Sequence, residues 1–302
     1  MQAESRGEGI NRREFGALGI SVAIGTALTA LGLSAQRPSA LKPKLSIMLW
    51  TLGTDLAPEV ALDTVSKAGY PAVELLSNYK RWSDAQLKAV TSKLSQTGII
   101  VDSMVTGGLA LADPARTAEL VESVRASIPF AKELGCSQFI MTPNSCVSGQ
   151  SVETKHQTIV EALKRISDVT APENIEVLLE PIDLLERKDS SVTSVGEGFE
   201  IVRLVGRPNI RVLYDLYHEQ RGTGNLLQKI EGNLDLIGLV HVADVPKRSE
   251  PGTGEINYPV LYRKLAAMKY QRYIAMEFYP TGDPVAILKQ AKKEVEDAYS
   301  EA

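Results

Sequence analysis

Four apolar runs in the second half of the chain each carry, at or near the carboxyl end, a side chain that can bind a metal ion. Three of them end at Glu180 in VLLEPID, Asp215 in VLYDLYH and Glu277 in IAMEFYP, and the fourth carries His241 in GLVHVAD. A buried carboxylate is costly unless its charge is compensated, and three carboxylates at one place would also repel one another. A divalent cation stabilises their ionised forms. If the fold gathers these run ends, we predict that they bind one divalent metal ion.

The donor set narrows the identity of this metal. Three carboxylates and one imidazole form a fairly hard site, which favours Mn²⁺ or Mg²⁺, with Co²⁺ or Zn²⁺ as alternatives. Four protein ligands leave two positions on an octahedral ion, where two neighbouring oxygens of a sugar would fit. Taken singly, each residue has an ordinary explanation: Asp215 could cap a helix, and His218 in the same stretch could be a partly buried histidine.

Eight short apolar or β-branched runs lie between residues 44 and 278, separated by longer segments with helical spacing. The runs are KLSIMLW, AVELL, GIIVDSMV, SQFIMT, IEVLLE, IRVLYD, IGLVHV and RYIAMEF. The clearest helical segments are PEVALDTVSKAG, SDAQLKAVTSKLSQTG, PARTAELVESVRASIPFAKELG and VETKHQTIVEALKRISDVTA. Apolar runs of this length are typical of parallel strands buried on both faces.

Eight strand–helix units predict an α/β fold, a (β/α)8 or TIM barrel, with its active site at the carboxyl ends of the strands. The four candidate ligands would then share one rim. The alternative, a doubly wound open sheet, lacks its glycine-rich fingerprint after the first strand. The chain has 302 residues, a net charge of −4 and no basic stripe, so we expect no nucleic-acid partner.

The first 35 residues have a different character from the rest of the chain. Arg12 and Arg13 precede an uncharged, moderately apolar stretch from Phe15 to Ala35 that contains several glycines and ends in small residues. This pattern predicts a twin-arginine signal peptide over residues 1–35, the Tat export machinery as a partner, and a periplasmic or otherwise exported mature domain over residues 36–302. The alternative is an uncleaved membrane anchor.

Two cysteines, Cys136 and Cys146, flank the predicted strand SQFIMT. Export would permit a disulfide. Six extended residues span about 20 Å, whereas disulfide-bonded Cα atoms lie within about 7 Å. We therefore expect both cysteines to be free.

The motifs Glu180-Pro181, YDLYH, HVADVPKR and EPGTGEINYP resemble the hydroxypyruvate isomerase branch of the xylose-isomerase-like sugar isomerase/epimerase family. The resemblance covers residues 44–295 and is strongest over residues 175–280. It implies a barrel with one divalent metal held by Glu180, Asp215, His241 and Glu277. It also implies that Glu180 and Glu277 act as the catalytic acid/base pair on a small sugar or keto acid, through an enediolate. The oligomeric state stays open.

The same resemblance implies substrate contacts for His218 and Arg248. Their alternatives are a hydrogen bond from His218 to Asp215 and a solvated loop charge at Arg248. Trp50 ends the first apolar run and is expected either to wall the pocket or to pack in the core. Glu74 ends the second run and is expected to support the site from outside the ligand set.

The export signal departs from the family pattern, because hydroxypyruvate isomerases are expected in the cytoplasm. Relatives that epimerise keto sugars or dehydrate inososes begin with the same proton abstraction, so an epimerase or a lyase stays an alternative. A non-catalytic sugar-binding barrel is a further alternative. A related DNA-repair endonuclease would need many histidines and a basic groove, but the chain has three histidines and a net negative charge.

Overall fold

The computed structural model describes residues 42–107, 110–144 and 147–301 of the chain. Within these ranges eight parallel strands form one closed barrel in sequence order, and the first strand pairs with the eighth. The strands are β1 Lys44–Met48, β2 Ala72–Leu75, β3 Ile100–Val105, β4 Gln138–Met141, β5 Glu176–Leu179, β6 Ile210–Asp215, β7 Ile237–Val242 and β8 Tyr273–Met276. The prediction of a (β/α)8 barrel is confirmed.

Helices connect the strands around the outside of the barrel. They are α1 Pro58–Ala68, α2 Asp84–Thr97, α3 Thr117–Arg125, α4 Ile128–Leu134, α5 Val152–Thr170, α6 Val195–Val205, α7 Leu216–Gly222, α8 Leu226–Glu231, α9 Tyr258–Ala267 and α10 Pro284–Ser300. The first two helices are followed directly by Gly69 and Gly98, which have φ of 77° and 70°. Glycine adopts this left-handed conformation without a Cβ clash, so it stops each helix as the sequence pattern predicts. Among these described helices, none is long and apolar enough to cross a membrane.

Two elements differ from their predicted extents. The third helical segment forms two helices, α3 and α4, because Pro129 occupies the first turn of α4, and a proline inside one long helix would remove a hydrogen bond and clash with the preceding turn. The first strand ends at Met48, and Trp50 lies in the 3₁₀ turn Leu49–Leu52 that follows it.

Two predictions lie partly or wholly outside the described residues. The signal peptide predicted over residues 1–35 is one of them. The other concerns the cysteines: Cys136 is buried and free, whereas Cys146 is not among the described residues.

The barrel interior contains a plug of six apolar side chains from six strands. These are Met48, Ile140, Leu178, Leu213, Leu239 and Ala275, all buried. Side chains two residues apart on a strand point to the same face. Glu180, Asp215, His241 and Glu277 each follow one of these plug residues by two positions, so alternation directs all four toward the barrel axis at its carboxyl end.

Candidate active site and metal centre

The structure brings the four predicted metal ligands together at the carboxyl end of the barrel. Each of Glu180, Asp215, His241 and Glu277 is buried, and one ligand atom from each lies within 4.8 Å of those of the other three. The Nδ1 atom of His241 faces this cluster, at 2.6 Å from Glu277 Oε2 and 3.9 Å from Glu180 Oε1. The four residues are hereafter the carboxylate–histidine cluster.

Asp215 caps a helix and also belongs to the cluster. Its Oδ1 accepts hydrogen bonds from the backbone N–H groups of Tyr217 (2.7 Å) and His218 (3.1 Å), so it caps the N-terminus of α7. Its Oδ2 is turned toward the cluster side, 3.5 Å from an Arg248 nitrogen. A capping carboxylate keeps one oxygen for another partner, and the helix therefore orients the candidate ligand.

The two glutamates predicted as the acid/base pair have opposite electrostatic environments. Burial, followed by repulsion from Glu277, raises the pKa of Glu180 to about 7. Burial would also raise the pKa of Glu277, but the charges of Arg248 and His241 outweigh it and hold that pKa well below its usual range. Paired carboxyl groups whose pKa values are pushed apart are a common arrangement for acid/base chemistry.

Arg248 lies over the cluster and is only 9% exposed, which rules out the solvated loop charge. Its Nη2 atom is 2.8 Å from Glu277 Oε2. The guanidinium lies within cation–π distance of two aromatic rings, 5.6 Å from the ring centroid of Trp50 and 5.1 Å from that of Tyr217. These contacts help to hold Arg248 where it lines the cavity.

The loop that carries Arg248 is tied to one buried carboxylate that the sequence reasoning missed. Asp244 accepts four backbone hydrogen bonds of 2.9 to 3.0 Å, from Val245, Gly252, Gly254 and Ile256. A Cβ at Gly254 would lie 1.8 Å from the Val245 carbonyl oxygen, so only glycine fits there. The Gly-rich motif therefore closes the loop around Asp244. An aspartate three residues after His241 and before two spaced glycines is the signal that could have indicated it.

His218 is held by a second missed residue, Asp183. Its Nδ1 atom lies 2.8 Å from Asp183 Oδ2, and its Nε2 atom lies 3.5 Å from Asp215 Oδ2. Burial would lower the pKa of His218, but Asp215 and Asp183 raise it. The ring therefore contacts Asp215 and also lines the cavity above the cluster. Both alternatives considered for this histidine are compatible with that position.

A cavity of about 410 Å³ opens above the cluster. All of the predicted substrate-binding residues line it, together with both candidate acid/base residues: Trp50, Glu180, His218, Arg248 and Glu277. Glu186, which the sequence reasoning did not single out, lines it as well and lies 3.5 Å from Arg248 Nη1. The indole N–H of Trp50 donates to Glu277 Oε1 at 3.3 Å, so this half-buried ring walls the cavity rather than only packing in the core.

The fold and this cluster define a (β/α)8 barrel with a carboxylate-rich candidate metal centre at its carboxyl end. The sequence model for xylose isomerase-like TIM barrels matches residues 62–298. Hydroxypyruvate isomerase of Escherichia coli (strain K12) is 30% identical over 226 residues, which cover 72% of this chain and 86% of that protein. A 2-oxo-tetronate isomerase of Pectobacterium atrosepticum is 27% identical over 248 residues, covering 80% of this chain and 93% of that protein.

A solved structure supports the same relationship. The crystal structure of an AP endonuclease, family 2, from Brucella melitensis superposes with a TM-score of 0.75 at 26% identity, covering 82% of this chain and 96% of that one. The chain belongs to the xylose isomerase-like TIM barrel family, as its motifs predicted, and it is an enzyme of the isomerase or epimerase type. The individual roles of the site residues stay predictions.

Proposed function

We propose that the enzyme is a divalent-metal-dependent isomerase that moves a proton between adjacent carbons of a small sugar or keto acid through an enediolate. The observation that carries this proposal is the carboxylate–histidine cluster. Both candidate acid/base glutamates belong to this cluster, and both line the same cavity.

The residues present fit a divalent metal. Glu180, Asp215 and Glu277 bring three carboxylates into a buried site, where Arg248 is the cation that contacts two of them. Such an excess of buried carboxylates is stabilised by a divalent cation, and hard oxygen donors with one imidazole favour Mn²⁺ or Mg²⁺, with Co²⁺ or Zn²⁺ as alternatives. When bound, the ion supplies Lewis-acid stabilisation of negative charge on the substrate oxygen.

The side chains of the chain itself carry out the proton transfer. Either Glu180 or Glu277 removes a proton from the carbon beside the carbonyl, and the same residue or its partner returns it to the neighbouring carbon. Arg248 and His218 donate hydrogen bonds to substrate oxygens, and Trp50 covers one side of the cavity. Arg248 is suited to a carboxylate or to a pair of neighbouring oxygens because its planar fork offers two parallel donors.

The names of the relatives suggest the substrate class. Hydroxypyruvate and 2-oxo-tetronate are both hydroxylated 2-keto acids, and the proteins named for them cover most of this chain. We propose a substrate of this type. Epimerisation of a keto sugar, or elimination from one, would use the same acid/base pair and is the second candidate reaction.

DNA repair is disfavoured despite the name of the Brucella structure. The chain contains three histidines, of which one belongs to the cluster, and its net charge is −4. A protein that neutralises many phosphates needs clustered Lys and Arg. Cleavage of abasic-site DNA by the purified protein would revive that alternative.

A substrate screen tests the proposal. The metal-loaded domain, residues 36–302, is incubated in D₂O with hydroxypyruvate, 2-oxo-tetronate, ketoses, inososes and 3-keto-glycosides, and the products are followed by NMR. We expect isomerised product with deuterium at the carbon beside the carbonyl. Conversion by epimerisation or elimination would replace the isomerase proposal, and sugar binding without any turnover would favour the binding-protein alternative.

We also propose export by the twin-arginine route, supported by Arg12 and Arg13 and the uncharged stretch that follows them. Changing both arginines to lysine should leave precursor in the cytoplasm, whereas Arg6→Lys, outside the motif, should not. Unchanged export of the double variant would contradict the proposal. An exported product of full length, retained in the membrane, would favour the uncleaved anchor.

A further inference from the structure

Two further carboxylates are buried inside the barrel near the carboxylate–histidine cluster, and the proposed reaction uses neither. Glu74 on β2 is 0% exposed and Asp102 on β3 is 4% exposed. Each is held by one serine: Ser103 Oγ donates to Glu74 Oε1 at 2.9 Å, and Ser46 Oγ donates to Asp102 Oδ1. In each carboxylate this leaves one oxygen without a serine partner.

That second oxygen of Glu74 meets the imidazole of the cluster. Glu74 Oε2 lies 3.0 Å from His241 Nε2, on a ring that is itself 0% exposed. Both atoms are buried, and neither makes a hydrogen bond of good geometry in the part of the chain that the structure describes, so the 3.0 Å approach is a close polar contact between two otherwise unpartnered atoms. The other ring nitrogen, Nδ1, faces Glu277 at 2.6 Å. The imidazole ring of His241 therefore lies between Glu74 on its Nε2 side and Glu277 on its Nδ1 side.

Asp102 differs from Glu74 although both are buried at neighbouring positions. No contact of 4.0 Å or less joins Asp102 to His241 among the described ion pairs. Burial, followed by repulsion from Glu74, raises the pKa of Asp102 well above its usual range. Asp102 is thus a buried carboxyl group that lacks the contact Glu74 makes with His241, which makes it the natural control for Glu74.

We propose that Glu74 is a positioning residue that accepts a hydrogen bond from the Nε2–H of His241 and so keeps Nδ1 turned toward Glu180 and Glu277, where it can act as a ligand once an ion takes the place of its proton. An imidazole has two neutral tautomers, and only the one protonated on Nε2 offers Nδ1 as a ligand. A carboxylate behind a ligating histidine fixes both the tautomer and the ring orientation. This inference rests on the proposed metal centre.

Titration with a metal ion tests whether Glu74 positions His241. Purified wild type, Glu74→Gln, Glu74→Leu and Asp102→Asn are titrated with Mn²⁺ alone. Loss of a partner behind a ligating histidine weakens metal binding by about 10–100-fold. We expect Glu74→Leu to bind Mn²⁺ more weakly than the wild type by a factor in that range. Glu74→Gln should lose less Mn²⁺ affinity because its amide oxygen still accepts a hydrogen bond. We expect Asp102→Asn to bind like the wild type.

A spectroscopic readout separates positioning from general damage to the barrel. In ¹⁵N-histidine-labelled protein, His241 should show a water-protected Nε2–H proton whose signal shifts in Glu74→Gln and disappears in Glu74→Leu, while Asp102→Asn leaves it in place. Circular dichroism confirms folding, and Glu74→Gln, which keeps the side-chain volume, decides the matter if Glu74→Leu does not fold.

Several outcomes overturn the inference. Equal loss of Mn²⁺ affinity in Glu74→Gln and Asp102→Asn would mean that any change in this interior acts structurally. Wild-type affinity in Glu74→Leu, or a His241 protonated on Nδ1 alone, would remove the positioning role. If the wild type binds no Mn²⁺ at all, the proposed metal centre fails, whereas the Nε2–H signal and its dependence on Glu74 still test the contact by itself.

Discussion

Glu176 begins β5 and Glu180 directly follows it, so the two glutamates lie at opposite ends of the barrel, and their surroundings are opposite. Glu176 receives two hydrogen bonds from Arg272, at 2.7 and 2.9 Å, one from Arg211 at 3.0 Å and one from Gln138 at 2.9 Å. Burial would raise its pKa, but these donors lower it to about 2. Glu180 lies among other carboxylates, and its pKa rises to about 7.

The contrast between Glu176 and Glu180 indicates that one end of β5 contributes to stability and the other end to function. At the amino end, each carboxylate oxygen of Glu176 is matched by donors, which suits a group that holds strands together. At the carboxyl end, the carboxylates outnumber the cations that contact them, which is unfavourable for the chain alone and suits the binding of a cation and a substrate. In a buried site with such an excess of carboxylates, perturbed pKa values indicate function.

The largest expected effect is on turnover at the carboxyl end. Glu180→Gln and Glu277→Gln keep the side-chain volume and one ligand oxygen but remove the base. Since a positioned acid/base group contributes about 10²–10⁴-fold to the rate, each variant should lose turnover by about that factor on an identified substrate while keeping some metal. Glu176→Gln, the same substitution at the other end, should stay within a few-fold of the wild type.

Steady-state kinetics and metal analysis of the three variants check this contrast. Near-normal turnover by Glu277→Gln would overturn its role in proton transfer. A loss in Glu176→Gln as large as in the other two would show that the two ends are not functionally separate.

Asp215 allows its capping and metal-binding roles to be separated. Asp215→Asn keeps an oxygen that can cap α7 but lowers the charge of the cluster, whereas Asp215→Ala loses both. We expect both variants to lose metal, and only Asp215→Ala to lose an additional ~1 kcal/mol of stability, which is typical of a lost N-cap. Metal content and urea unfolding of the metal-free proteins measure the two effects. Metal content equal to the wild type in Asp215→Ala would exclude Asp215 as a ligand.

Arg248 should affect substrate use more than stability. A hydrogen bond from a charged donor is worth about 1.5–3 kcal/mol, so Arg248→Met should lower kcat/KM by about 10–100-fold. Arg248→Lys should recover only part of it because lysine lacks the planar fork. The neighbouring exposed Lys247 provides the control, since Lys247→Met should leave kcat/KM unchanged. Equal kinetics for Arg248→Met and Lys247→Met would show that Arg248 does not contact the substrate.

The smallest effect is expected on stability at the amino end. Because its folded-state pKa lies below the ordinary value of 4.5, Glu176 stabilises the fold above about pH 4.5, and this contribution is lost as the pH falls toward 2. Glu176→Gln should cost ~1–2 kcal/mol at pH 7, less than the full pKa shift implies because water screens a partly exposed group.

Urea unfolding of metal-free wild type and Glu176→Gln at pH 7 and pH 3 measures this pH dependence. The difference between the two proteins should shrink at the lower pH. A difference that stays constant or grows on acidification would contradict the assignment.

The sequence by itself determined the barrel and the four residues that lie at or next to the carboxyl ends of its last four strands. Apolar runs, helical spacing and glycine stops are local properties, written in neighbouring residues, and strand alternation then sends Glu180, Asp215, His241 and Glu277 to one rim. The family membership followed from motifs in the same region. These inferences needed no knowledge of which distant residues meet.

Only the tertiary structure decided which partners stand behind and around those residues. The contacts of Glu74 with His241, Asp183 with His218 and Trp50 with Glu277 join different strands and loops of the barrel. The register between strands and the direction of each loop set them, and neither is visible in local spacing. The opposite environments of Glu176 and Glu180 have the same origin, because a pKa depends on the charges and burial that the whole fold assembles around a group.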